Sequence, residues 1–106
     1  MTTLQFNENG VPQYPKGHTG RLLVTLAAID HLKRPTVFNV AELTGLSKGK
    51  VDDYVKALCN ELGVTITKKD SVFTIEDWGI ILKRAGVKST LKVPLNGTTM
   101  DPIETE

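Results

Sequence analysis

Residues 47 to 56 read SKGKVDDYVK, a hydroxyl, three lysines and two adjacent carboxylates within ten positions. Lysines spaced this way suit one chemistry well. Their amines can meet phosphate oxygens, or the O6 and N7 of guanine, at the full length of the side chain. The two aspartates work against a polyanionic partner, although a carboxylate can accept a hydrogen bond from cytosine N4. A second pair of amines, Lys68 and Lys69, lies further along the chain.

Other chemistries find little support. His18 and His31 stand thirteen residues apart and Cys59 is the only thiol, so no metal-ligand spacing is present and no cofactor is expected. There is no Ser/His/Asp order and no carboxylate pair with a positioned partner, and an enzyme is not expected. The stretch GHTGR lacks the ending and the preceding apolar strand of a phosphate loop. No small-molecule ligand is implied. His31 is expected on the solvent side of its helix, Cys59 as a partly buried small residue, and Trp78 as a core or dimer-interface anchor.

Composition sets the frame. A chain of 106 residues, 40% of them hydrophobic, fits one small domain that needs no disulfide or metal. A single cysteine excludes an intrachain disulfide and suits a reducing compartment. The polar start, MTTLQFNENGVPQYP, has no signal-peptide core, and no apolar run approaches the roughly 18 residues of a membrane span. A cytoplasmic protein is expected. The net charge of +1 hides an uneven distribution. All 13 Lys and Arg lie between Lys16 and Lys92 among eight acids, a local balance of +5, while Asp101, Glu104 and Glu106 make the tail acidic.

Periodicity gives the elements that would carry these residues. Residues 1–16 read as an N-terminal arm, with LQF as a short strand and ENG as a turn. Thr19 can cap a helix over 20–33, whose Leu22, Leu23, Leu26, Ala27, Ile29 and Leu32 recur at helical spacing, with Pro35 as its stop. TVFNV reads as a small strand, and Asn39 can cap the helix VAELTG. Gly45 supplies a turn. Ser47 caps a helix over 48–62 whose apolar stripe is Val51, Tyr54, Val55, Leu58 and Leu62. VTIT and VFTI alternate with period two about the charged KKDS, an antiparallel hairpin. DWGIILKRAG reads as a last helix ended by Gly86. Residues 87–95 alternate again, a strand that Pro94 would confine to a sheet edge, before the acidic tail.

This order, helix, short strand, helix, turn, helix, hairpin, helix, is an α+β chain that is mainly α. It resembles the winged helix-turn-helix DNA-binding family, the fold of many small bacterial or phage-type transcriptional regulators. The resemblance rests on Ala41 as the small residue where two helices cross, Gly45 four residues on, Leu46 under the turn, and Val51 as the buried β-branched position with Tyr54 and Leu58 continuing its face. Phe73, Ile75, Gly79 and Leu82 occupy the places of a hairpin leading into a Gly-containing helix, while Glu76 stands where the family usually has Ser or Thr.

The resemblance covers roughly residues 20–86. It implies a three-helix core, a hairpin wing and a C-terminal helix in a domain over 17–86, with short extended arms at 1–16 and 87–106. It also implies that the helix after the turn enters the major groove. DNA contacts are then expected from Ser47, Lys48, Gly49, Lys50, Asp53 and Lys56, and from Lys68 and Lys69 at the hairpin tip. Set against this, lysines on a helix face are most often simply solvated. Asp52 and Asp53 are first explained by the helix dipole and by pairing with Lys48, Lys50 or Lys56. The expected partner is double-stranded DNA. The expected assembly is a homodimer that occludes a promoter, joined through the first helix, the last helix, or the ends 2–14 and 87–95 as added strands. The modest charge and the paired aspartates leave a protein-binding module as the alternative.

Overall fold

A computed structural model describes residues 5–93. Its elements are α1 (Gly20–His31), α2 (Val37–Thr44), α3 (Lys48–Glu61), β1 (Thr65–Lys69), β2 (Val72–Asp77) and α4 (Arg84–Ser89). The described residues form an α+β domain of four helices and one antiparallel hairpin. None of these helices is long and apolar enough to cross a membrane.

The centre is α1. Val24, Thr25, Leu26, Ala27, Ala28 and Ile29 are all buried, because α2, α3, α4 and β2 pack around this one helix. Into the same core come Val40 from α2, Val51, Val55 and Leu58 from α3, Val64 and Phe73 about the hairpin, and Val87 and Leu91 at the C-terminal side. The buried Thr25 and Thr44 return their hydroxyls to Arg21 O and Val40 O, one helical turn back, so neither leaves a buried donor unpaired. Leu22, Leu23 and Leu32 are partly buried against the core, and His31 is exposed as expected.

Four stretches and the cap of α1 depart from the sequence reading. Residues 36–40, expected as a strand, open α2. Their β-branched side chains favour a strand, but Thr36 Oγ1 accepts from Asn39 N–H at 3.0 Å and starts a helix instead. Asn39 is therefore not the cap; its amide donates to Arg34 O at 2.8 Å. At α1 the hydroxyl of Thr19 makes no capping bond, and His18 Nδ1 accepts from Gly20 N–H at 2.8 Å.

The helix expected over 77–86 begins only at Arg84, and Gly86 lies inside it. Asp77 Oδ1 takes the Gly79 N–H at 2.8 Å, a local turn that competes with helix. Gly79 has φ +77°, and Glu76 lies in β2 with Thr67 Oγ1 donating to its carboxylate at 2.9 Å. The strand expected over 87–95 is absent among its described residues, because Val87 lies in α4 and Leu91 packs into the core. Residues 94 and 95 lie outside the described part.

The N-terminal arm is the fourth departure. Phe6 and Pro12 form an isolated antiparallel bridge around the 8–10 turn, so a short strand pairing is present. This segment packs on its own domain, with Val11 and Tyr14 buried. The carbonyls at the end of α2 have no partners within the helix. Asn7 Nδ2 donates to Leu43 O at 3.0 Å, Asn9 Nδ2 to Glu42 O at 3.2 Å and Gln13 Nε2 to Thr44 O at 2.9 Å. Residues 5–14 thus clasp the end of α2.

Candidate nucleic-acid interface

The connection from α2 to α3 is built as its residues dictate. Gly45 takes φ +82° at the C-cap of α2, a conformation that costs any side chain with a Cβ. Ser47 follows in extended conformation and its Oγ accepts from Lys50 N–H at 3.3 Å, opening α3. Val51, Val55 and Leu58 then bury one face, with Tyr54 half-buried beside them. Tyr54 is held by Arg21, whose Nη1 donates to the phenol oxygen at 3.1 Å while its Nε donates to Tyr14 O at 2.9 Å.

At about 100° per residue, burying Val51, Val55 and Leu58 turns Gly49, Asp53, Lys56 and Asn60 outward as one ridge. All four are exposed. Lys48 and Lys50 lie on opposite flanks of this ridge, about 160° apart around the helix, with Gly49 between them. They therefore do not form one patch. Lys48 lies toward the start of α2, its Nζ 5.0 Å from the ring centroid of Phe38. An added Cβ at Gly49 would meet nothing within 4 Å, so the bare backbone there faces open space.

The hairpin stands beside the flank of Lys48. Its register pairs Lys68 with Phe73 and Lys69 with Val72, so both lysines are strand residues. The tip is Asp70 and Ser71, with φ +53° and +69°, as a two-residue hairpin turn of primed type requires. The expectation of lysines at the tip is corrected by two residues. Phe73 N–H donates to Pro35 O at 2.8 Å, which ties the hairpin to the segment before α2. Lys68 Nζ lies 5.4 Å from the Phe73 ring centroid and 3.8 Å from Asp52 Oδ1 on α3. Asp52 thus pairs across to the hairpin and not with Lys48, Lys50 or Lys56, as local helix spacing had suggested. Neither Lys69 nor Asp53 takes part in an ion pair among the described residues.

The sequence-selected residues therefore do not form one continuous surface, and they play unequal parts. Ser47 is engaged as a cap, and Gly49, Asp53 and Lys56 share the ridge with Asn60. Lys48 and Lys50 straddle it, and Lys68 and Lys69 point to different faces of the hairpin. Phe38 was missed. It is 54% exposed, and a shallow groove joins it to Thr36, Val37, Lys48, Lys68 and Ser71. A helical reading of residues 37–44 would have placed it on the outer face of α2. Asn60 was missed as well, although its i+4 spacing from Lys56 was legible. Among the described residues no cluster of three or more His, Cys, Asp or Glu side chains could hold a metal ion. Cys59 is partly buried. Trp78 is half-buried against the core.

Comparison with protein-family models, with curated proteins and with solved structures finds no match to this chain.

Proposed function

We propose that the protein binds double-stranded DNA as a winged helix-turn-helix module, with α3 in the major groove and the β1–β2 hairpin as the wing. The observation that carries this reading is the joint surface of helix and hairpin. A capped helix turns a polar ridge outward with an amine on each flank, and the hairpin brings Lys68 to within 3.8 Å of that helix. Lys48 and Lys50, on opposite flanks of α3, suit the two phosphate backbones that border a groove better than neighbouring base edges. The ridge between them would then read bases through Asp53, Lys56 and Asn60, with Asn60 suited to adenine N6 and N7. The pairing of Asp52 with Lys68 removes one of the two free carboxylates that favoured a protein partner.

The same reading takes the active species as a homodimer occluding a promoter, because one module of this size makes few contacts and two half-sites raise affinity. Its dimer surface is the α1–α4 side. There the largely exposed Ile81 lines an apolar pocket with Leu23, Leu82 and Val87. α4 packs on α1 and makes no comparable contact with α3, so a second copy here leaves the ridge open.

Selection from a random duplex library, followed by a salt titration on the winner, tests the proposal. Affinity should fall steeply with salt, because each neutralised phosphate contributes about −0.9 to the slope of log K against log salt. Replacing Lys48 and Lys50 together by Ala should weaken binding to every sequence and reduce that slope by roughly 2. A chain that enriches no sequence and binds no duplex at low salt is not a DNA-binding protein, and the interaction-module reading would take its place.

A further inference from the structure

We infer that Asp52 is a built-in competitor for phosphate. It occupies Lys68 of the wing, which must leave it before meeting a phosphate, and so restrains the affinity of the wing for any duplex. This rests on the DNA-binding reading above and adds a role for a carboxylate on the helix flank.

Three features aim Lys68 at Asp52. The strand register places Lys68 opposite Phe73, and its Nζ lies 5.4 Å from that ring. Phe73 is itself buried and fixed through its N–H to Pro35 O. Asp52 lies one turn after Lys48 on the flank of α3 that faces the hairpin. The resulting N···O distance of 3.8 Å is a charge pair beyond hydrogen-bond length, and both side chains remain 46% exposed. Such a pair is weak enough to exchange for a phosphate oxygen. Lys69 points to the other face of the hairpin and has no such partner among the described residues. One wing lysine is thus restrained and its neighbour is free.

The consequence is a difference between two kinds of complex. On a random duplex only phosphate contacts are available, and freeing Lys68 would leave Asp52 unpaired beside a polyanion. The pair stays closed and the wing contributes one phosphate contact fewer. On a correct site the base contacts of the ridge offset the opening of the pair. Asp52 therefore lowers affinity in both complexes, and at least as much on the correct site, where the pair is opened.

Asp52→Asn keeps the shape and removes the charge. Binding to a random-sequence duplex at low salt should tighten about five-fold, with a salt slope steeper by about 0.9, and binding to the selected site should tighten at least as much. The ratio of specific to random affinity therefore does not fall. In a Lys68→Ala background the same substitution should lose most of its effect on the random duplex, since its target amine is gone. Equal effects of D52N in both backgrounds would show a general charge effect and overturn the inference. So would weaker binding of D52N to both duplexes, which would make Asp52 a strut for the wing. Wild type that binds while D52N behaves identically overturns the inference alone. Failure of both proteins to bind any duplex overturns the DNA reading and the inference with it.

Discussion

Two glycine turns lead into helices, and they differ in what holds them. At Gly45 the chain takes φ +82°, passes Leu46 and Ser47, and enters a side-chain-capped helix of 14 residues. At Gly79 it takes φ +77°, passes the exposed Ile80 and Ile81, and enters a helix of six residues whose N-cap, Lys83, makes no capping bond. The first turn is specified by its own residues and presents the proposed reading helix. The second is specified by what it touches. Local chemistry fixes the proposed binding face, and tertiary contact fixes the C-terminal side.

The largest test of that contrast is Gly79→Ala. Its Cβ would lie 2.6 Å from the backbone oxygen of Gly63, an atom that cannot swing aside. Strain at positive φ and this clash together should cost about 2–4 kcal/mol. Such a loss is a large part of the stability of a domain this size. Denaturant unfolding measures it as a lower midpoint. Loss below 1 kcal/mol would mean that the turn tolerates a side chain and that Gly63 does not brace it.

Gly45→Ala should cost less, about 1–2 kcal/mol, mostly from the left-handed conformation. Here the Cβ would meet Gln13 Oε1 at 2.8 Å, the end of a side chain that can move, although moving it gives up the bond to Thr44 O. Adding Gln13→Ala should therefore relieve the crowding and leave the conformational cost. Thermal unfolding of the single and double variants separates the two parts, at roughly 4–8 °C per kcal/mol.

The caps give the next contrast. Ser47→Ala should destabilise the domain by about 1 kcal/mol, because the Lys50 N–H loses its acceptor. Lys83→Ser at the uncapped start of α4 should do the reverse and add about 0.5–1 kcal/mol. Both changes are read by denaturant titration. Equal and small effects at the two sites would remove the distinction between a locally and a tertiarily specified turn.

The same distinction explains what the sequence disclosed. α1, α3, the turn at Gly45, the cap at Ser47 and the hairpin were legible because each is announced within a few residues by period, glycine or hydroxyl. Residues 36–40 were misread because Thr36, Val37 and Val40 carry strand propensity, and the capping geometry of Thr36 overrides it only once the helix exists. The run WGIIL in 78–82 has the look of a helix, yet Ile80 and Ile81 are exposed and Asp77 bends the chain at Gly79. The clasp by Asn7, Asn9 and Gln13 spans more than 30 residues of sequence separation and has no local signature. At the candidate interface the residue types were legible. The partnership of Asp52 with Lys68 was not, because it depends on where the hairpin lies.

The smallest and most discriminating effects come from the two open helical glycines, Gly49 in α3 and Gly86 in α4. A Cβ at either would meet nothing within 4 Å. Helix propensity alone then predicts that Gly49→Ala and Gly86→Ala each stabilise the domain by about 0.5–1 kcal/mol. If α3 enters a groove, only Gly49→Ala should also weaken binding to a duplex carrying one half-site, because its methyl stands on the ridge where backbone would approach the bases. A more stable protein that binds less well cannot be explained by unfolding, which makes this pair cleaner than any lysine deletion. Half-site affinity by fluorescence anisotropy, measured beside the unfolding midpoint, decides it. Undiminished binding by Gly49→Ala would leave the lysine flanks as the contact surface and take the bare ridge position out of the proposed interface.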